Sequence, residues 1–453
     1  MQFRDGASIA ALVLGFLCGA DQVRAQTPDA KLAKIGHIVI IFEENRSFDN
    51  LFGLFPGANG LAQADDAAVQ VDRDGKPYEF LPPVRITYPQ DKIDDRFPAQ
   101  LPNAPFPIDR YVPRNIATGD LVHRFYQEQE QINGGKMNKF AAVSDAGGLV
   151  MGYYDFSNSA QSRLAKEFTL ADNTFHSAFG GSMLNHSFLV CLCAFRWPQA
   201  LSDAPQLVAS LDADGKMIRD GQVSPDGYVI NTARSVYLHA SSDKDPKLLV
   251  PPQTMPHIGD RLDEKGVTWK WYSGGYAEAL AGHFPQRFEF HHQAFAFFAD
   301  LAPGTAAQQA HLKDQTDLEA DIANDSLPQV VFYKPIARLN EHPGYTELEI
   351  GDQHIADIVG RLQKTAAYND TLIIITYDEN GGLWDHVAPP KRDPWGPGTR
   401  VPLIAIGPMV KRGYIDHTPY EFGSILKTLE DRFGLAPLNE IDAKASNLAA
   451  LLQ

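Results

Sequence analysis

Two runs of apolar, β-branched residues without polar alternation stand out: Ile35-Gly36-His37-Ile38-Val39-Ile40-Ile41-Phe42 and Thr371-Leu372-Ile373-Ile374-Ile375-Thr376-Tyr377. An unbroken run of this length reads as a strand buried on both faces, the habit of a parallel sheet. Both runs stop abruptly at polar groups. The first gives way to Glu43-Glu44-Asn45, the second to Asp378-Glu379-Asn380-Gly381-Gly382. Similar runs predict strands over 168–172, 266–272, 329–333 and 401–407. Residues 121–131, 183–195, 352–367 and 420–433 carry helical character, and Arg46 to Gly53 reads as a turn into a short helix ended by glycine. The 352–367 helix feeds straight into the 371–377 strand as an αβ unit. The pattern therefore predicts the α/β class, a mostly parallel central sheet flanked by helices.

Elsewhere the pattern breaks. Pro82, Pro83, Pro89, Pro98, Pro102, Pro105, Pro107 and Pro113 mark an extended segment wrapping the surface. Residues 200–262 change texture, and Asp214-Gly215 between two apolar stretches signals a hairpin. This stretch is expected to be a β-rich insertion in one domain spanning 26–453.

Residues 1–25 hold Arg4, an apolar run from Ile9 to Cys18, and Val23-Arg24-Ala25, the layout of a secretory signal peptide. The run is too short to span a membrane, so a periplasmic or secreted protein without a stable membrane anchor is expected. The net charge is −16, and Arg4 and Arg24 balance Asp5 and Asp21, so cleavage leaves it unchanged. Such acidity argues against a nucleic-acid partner and against attraction to anionic lipid. Outside the leader stand only Cys191 and Cys193. A bond between positions i and i+2 would be strained, so two buried thiols are expected.

The chemistry gathers where the strands stop. Two strands ending in carboxylates and an amide can converge at one sheet edge, where open α/β sheets bind ligands. Buried carboxylates are costly unless neutralised, and oxygen ligands suit a hard divalent cation; a solvated acidic turn is the alternative. Strand alternation turns Glu43 away from Glu44. A second feature is Gly180-Gly181 followed by Ser182 at a helix start. Helix amides there cradle an anion, although simple capping accounts for a serine equally well. Adjacent His291 and His292 cannot face one way on a strand and can share a site only from a loop or bend. His186 and His386 are expected in supporting positions.

Glu44-Asn45-Arg46-Ser47-Phe48-Asp49, Phe179-Gly180-Gly181-Ser182-Met183-Leu184-Asn185-His186 and the stretch from Tyr377 through Asp385-His386-Val387-Ala388-Pro389-Pro390 resemble the bacterial phosphoesterase family. Glu430-Asp431-Arg432-Phe433-Gly434-Leu435 resembles its closing signature. That family contains exported acid phosphatases and phospholipases C. The resemblance implies an alkaline-phosphatase-like fold with metal at the strand ends. It also implies Ser182 as nucleophile, one divalent metal on Glu44, Asn45, Asp378, Glu379 and the Ser182 oxygen, and His291, His292, His354 and His123 around the phosphate. Serine in a Gly-Gly context is similar to the phosphatase branch, whereas the phospholipase branch typically has threonine there. The implied activity is hydrolysis of small phosphate monoesters through a phosphoserine, favoured in acid if His291 and His354 must be protonated. A phospholipase C, or a non-catalytic phosphate- or metal-binding protein, is the alternative.

Overall fold

The structure is a computed structural model describing residues 29–243 and 245–453. Residues 1–25, expected to be a signal peptide, lie outside the described residues. Eight strands form the central sheet. They are β1 (His37–Glu43), β2 (Thr169–Ala171), β3 (Trp269–Ser273), β4 (Leu312–Asp314), β5 (Val330–Lys334), β6 (Thr371–Tyr377), β7 (Leu403–Ile406) and β8 (Tyr414–Asp416). Their order across the sheet is β4-β3-β5-β1-β6-β7-β2-β8. All run the same way except β7, which is antiparallel to β6 and β2.

The two runs that stood out in the sequence are the sheet's central neighbours. β1 lies between β5 and β6, with Ile41 opposite both Tyr333 and Ile375 and Glu43 opposite Tyr377. Ile38, Ile40, Ile41, Leu372, Ile373, Ile374 and Ile375 are fully buried. This explains the missing alternation, because neither face of these strands meets water. The register brings the residues after Glu43 and Tyr377 out side by side at one edge.

Five helices bear on that edge and its surroundings: α1 (Phe48–Phe52), α2 (Phe125–Ile132), α3 (Ser182–Cys191), α4 (Leu348–Leu362) and α5 (Phe422–Phe433). α1 starts on Ser47, whose side chain accepts from Asn50 N, and ends at Gly53. α3 is buried along its whole length, so its apolar residues do not sort onto one face. α2 starts at Phe125, which leaves His123 in the preceding loop.

Two expectations need correction. Among the described residues of 200–262 there is one short hairpin, Ser210–Leu211 with Met217–Arg219. The rest is turns, short helices and single bridges, so the stretch is not β-rich. Pro205, Pro225, Pro246, Pro251, Pro252 and Pro256 interrupt it, and proline cannot donate to a ladder. Cys191 and Cys193 form a disulfide rather than two thiols. Leu192 between them takes a left-handed conformation, φ +47°, which brings their Cα atoms to 5.2 Å, inside the span a disulfide bridges.

Candidate active site

The carboxyl ends of β1, β5 and β6 and the first residue of α3 meet at one point. Glu44, Asn45, Asp378 and Glu379 follow directly on β1 and β6 and are buried. Asn45 adopts φ +64°, a conformation asparagine tolerates better than most residues, and its N–H donates to Asp378 Oδ1 at 3.2 Å. Ser182 opens α3 with its Oγ 3.3 Å from Asn45 Oδ1 and 3.1 Å from Glu379 Oε1. The structure thus brings together the five groups expected as metal ligands, the expected nucleophile Ser182 among them.

The histidines divide. His291 and His292 sit in a 3₁₀ turn, Phe290–His292, and both rings reach the same cluster. They lie 5.6 and 5.2 Å from the His186 ring, centroid to centroid. A tight turn, unlike a strand, can present neighbouring side chains together. His292 contacts Glu44. His123 Nε2 is 3.3 Å from Asn45 Nδ2 and 3.7 Å from Glu379 Oε1. His354 is placed elsewhere: its Nε2 meets the Tyr333 hydroxyl at 2.6 Å on the flank of the sheet. α4 begins at Leu348 rather than near 352, so His354 falls about 6 Å further along the helix, at 1.5 Å per residue. His386 is bonded to Asp49 and Asn59 beside the buried Arg400.

Two residues join the site without having been singled out. Lys334, the last residue of β5, is fully buried with Nζ 3.0 Å from Glu44 Oε1 and 3.2 Å from the Glu43 carbonyl. His342 places Nε2 3.8 Å from Glu44 Oε2. A lysine closing a buried strand was a legible signal, of the same kind as the acids closing β1 and β6. His342, in an irregular turn, carried none.

The electrostatics are those of acids taken out of water. Burial, with the charge of Glu44 added, pushes the Asp378 carboxyl up to about 7. Burial and Asp378 push Glu379 well above its ordinary value. For Glu44 burial also pushes upward, but His292 and Lys334 outweigh it and hold the carboxyl well below its usual range. Burial lowers His292 to about 4 against the pull of Glu44, and lowers His186 and His291 well below the ordinary imidazole value.

Several buried atoms here lack hydrogen-bond partners, among them Asp378 Oδ2 and His186 Nε2. His186 Nδ1 lies 2.7 Å from the Ser182 carbonyl. Donation there fixes the tautomer that leaves Nε2 as an acceptor or ligand. Glu44, His186 and His292 offer ligand atoms within 4.8 Å of one another. Three carboxylates, an amide oxygen and unshared imidazole nitrogen are a donor set that fits a divalent cation.

A second buried acid system lies directly behind. Glu43 points away from Glu44, as alternation requires, and is fully buried with neither carboxyl oxygen hydrogen-bonded. Glu341 is fully buried as well, at φ +70°. Arg46 Nε and Nη2 donate to its carbonyl at 3.0 and 2.8 Å. Its carboxyl meets Gln161 Nε2 at 2.7 Å and the Tyr377 hydroxyl. The flanking Asn340 carbonyl accepts from Glu44 N at 2.9 Å, so this turn fixes both Glu44 and His342.

Residues 35–436 match the sequence profile of the Phosphoesterase family. The chain belongs to the Phosphoesterase family. Curated relatives include a non-hemolytic phospholipase C of Pseudomonas aeruginosa, 24% identical over 96% of this chain and 59% of the relative. Another is phospholipase C B of Mycobacterium tuberculosis, 25% identical over 89% of this chain and 74% of the relative. The chain thus spans 59% of the length of the Pseudomonas relative. A solved protein in the alkaline phosphatase superfamily from Vibrio parahaemolyticus is similar with TM-score 0.35 and 9% identity, covering 74% of this chain and 73% of that one. Within this Phosphoesterase chain no helix of the described residues is long and apolar enough to cross a membrane.

Proposed function

We propose that the chain is an exported phosphoric ester hydrolase acting on small phosphate monoesters through Ser182. One observation carries the reading: the Ser182 hydroxyl, at the first residue of α3, lies within 3.3 Å of both Asn45 Oδ1 and Glu379 Oε1. Ser182 O–H donates to Glu379 Oε1 at 3.1 Å, which holds Oγ aimed into the site. The Ser182 proton passes to water, a bond forms between Oγ and phosphorus, the bond to the ester oxygen breaks, and the leaving alkoxide takes a proton from water. Amides at the start of α3 face the phosphoryl oxygens, and His123, His291, His292 and His342 surround the approach. Water then cleaves the phosphoserine. Glu44, Asn45, Asp378 and Glu379 would hold a divalent cation, which when bound lowers the pKa of a hydroxyl and offsets charge on the phosphoryl group.

The reading differs in one respect from the expectation of acid activity based on protonated His291 and His354. His354 is not at the site, and burial disfavours the charged form of His291, so these two supply no reason for an acid optimum. A second reading, phospholipase C, is favoured by the names of the relatives. A turnover panel of aryl phosphates, nucleotides, sugar phosphates and micellar phosphatidylcholine, with metal content measured on the same sample, separates the two. Higher kcat/KM for the soluble monoesters is expected; preference for the micellar diester would replace the first reading with the second.

A further inference from the structure

The loop His176–Gly181 delivers Ser182 from β2 to α3. Backbone bonds tie its first part, with His176 N and Phe179 N donating to the Thr399 and Trp395 carbonyls at 3.1 and 2.7 Å, but Gly180 and Gly181 next to the nucleophile stand in no sheet or helix ladder, and a nucleophile displaced by about 1 Å can lose roughly a hundredfold in rate. Something outside the loop must fix it. Glu128, in the first turn of α2, is fully buried. Its Oε2 accepts from Gly180 N at 2.5 Å, and its Oε1 accepts from Thr399 N at 3.1 Å and meets His176 Nε2 at 2.9 Å. His176 is also fully buried, and its Nδ1 faces the Ala178 carbonyl at 2.8 Å. Both ring nitrogens face oxygen acceptors, so each is placed to donate. Gly180 takes φ +83°, and a Cβ there would lie 2.3 Å from Phe125 N. The loop therefore lies directly against the start of α2. From the other side Asn185 Oδ1 accepts from Ala178 N at 3.0 Å, and its Nδ2 donates to the Ala178 and Gly180 carbonyls at 2.9 and 3.2 Å.

We infer that the buried Glu128–His176 pair is a positioning device for the nucleophile. It ties the loop before Ser182 to α2 and to Thr399, so that Oγ meets Asn45 and Glu379 without searching. The inference rests on the hydrolase reading of Ser182. Glutamine cannot replace Glu128: a carboxylate accepts from three donors here, whereas an amide turns an N–H toward at least one of them. Aspartate keeps the charge beside His176 but withdraws from Gly180.

The test compares Glu128→Gln, Glu128→Asp and Ser182→Ala, purified with their metal, on p-nitrophenyl phosphate. Both Glu128 variants are expected to lose about a hundredfold in kcat, with KM within threefold and metal content unchanged. The rate of phosphoserine formation in a single turnover should fall by the same factor as kcat. A kcat within threefold of wild type in either folded variant overturns the inference, as does a loss that merely tracks metal or folded fraction. Hydrogen exchange on the unmutated protein decides the matter without variants. The Gly180 amide should exchange at least a hundredfold more slowly than exposed loop amides, and exchange at their rate would overturn the clamp. If Ser182→Ala retains turnover, the hydrolase reading fails instead, and the Gly180 exchange still reports on the clamp separately.

Discussion

Replacing Glu341 by glutamine tests the acid system behind the site. Burial first, and the charge of Asp352 second, push the Glu341 carboxyl up to about 8 from an ordinary 4.5, against Tyr377, Arg46 and Gln161. The folded protein therefore keeps a proton that the unfolded chain releases. Stability from this group is fully present below the unfolded value of 4.5 and is lost as pH rises through the folded value of about 8. At about 1.4 kcal/mol per unit, a window of roughly 3.5 units corresponds to about 5 kcal/mol. Glutamine keeps the shape of the neutral acid and does not titrate. At pH 5 the variant should lie within about 1 kcal/mol of wild type, the ordinary scale of a near-neutral exchange. Between pH 6 and 8 it should gain on wild type by about 1 kcal/mol per unit, levelling off above. Urea unfolding followed by tryptophan fluorescence, at unit steps from pH 5 to 9 with chelator present, measures both curves. Parallel curves across that range would refute the argument, because Glu341 would then be ionised in both states.

Ser182→Ala should lower kcat by several orders of magnitude, as losses of covalent nucleophiles do, while circular dichroism stays unchanged; near-normal turnover by the folded variant removes Ser182 from the chemistry. Glu44→Ala and Asp378→Ala should each lower bound divalent metal and activity together, read by elemental analysis of the assayed sample, and unchanged stoichiometry in both would place any ion elsewhere. Removing the disulfide in a Cys191→Ser, Cys193→Ser double variant should cost only about 1–2 kcal/mol, because the loop it closes is so short. A loss above about 4 kcal/mol in chemical denaturation would contradict that entropic account.

Legibility in the sequence depended on which residues had only one job. Ile38 to Ile41 and Leu372 to Ile375 are buried on both faces, so their side chains announce the sheet centre and the acids after them announce its edge. β4 and β8 were not legible: each is three residues long at the margin of the sheet, and Tyr414 is exposed. The reversed direction of β7 leaves no trace either, since a buried strand looks the same both ways. His354 was assigned to the pocket by resemblance alone, and on α4 it meets the Tyr333 hydroxyl instead. The disulfide was missed because its feasibility depends on the backbone of Leu192, a residue whose type gives no hint of a left-handed turn.

The adjacency of β1 and β6 has a consequence for how the protein is made. Asn45 and Asp378 touch, yet 333 positions separate them. At roughly 5–20 residues per second a ribosome needs about 15–70 s to go from one to the other. Throughout that time the emerging chain carries Glu44, Asn45 and then Ser182 with no partner carboxylates for them. A product truncated before Thr371 lacks Asp378 and Glu379 and one whole neighbour of β1. If the proposed site is the hydrolytic one, every copy that ends before Glu379 is inactive, and synthesis past that point acts as its own checkpoint.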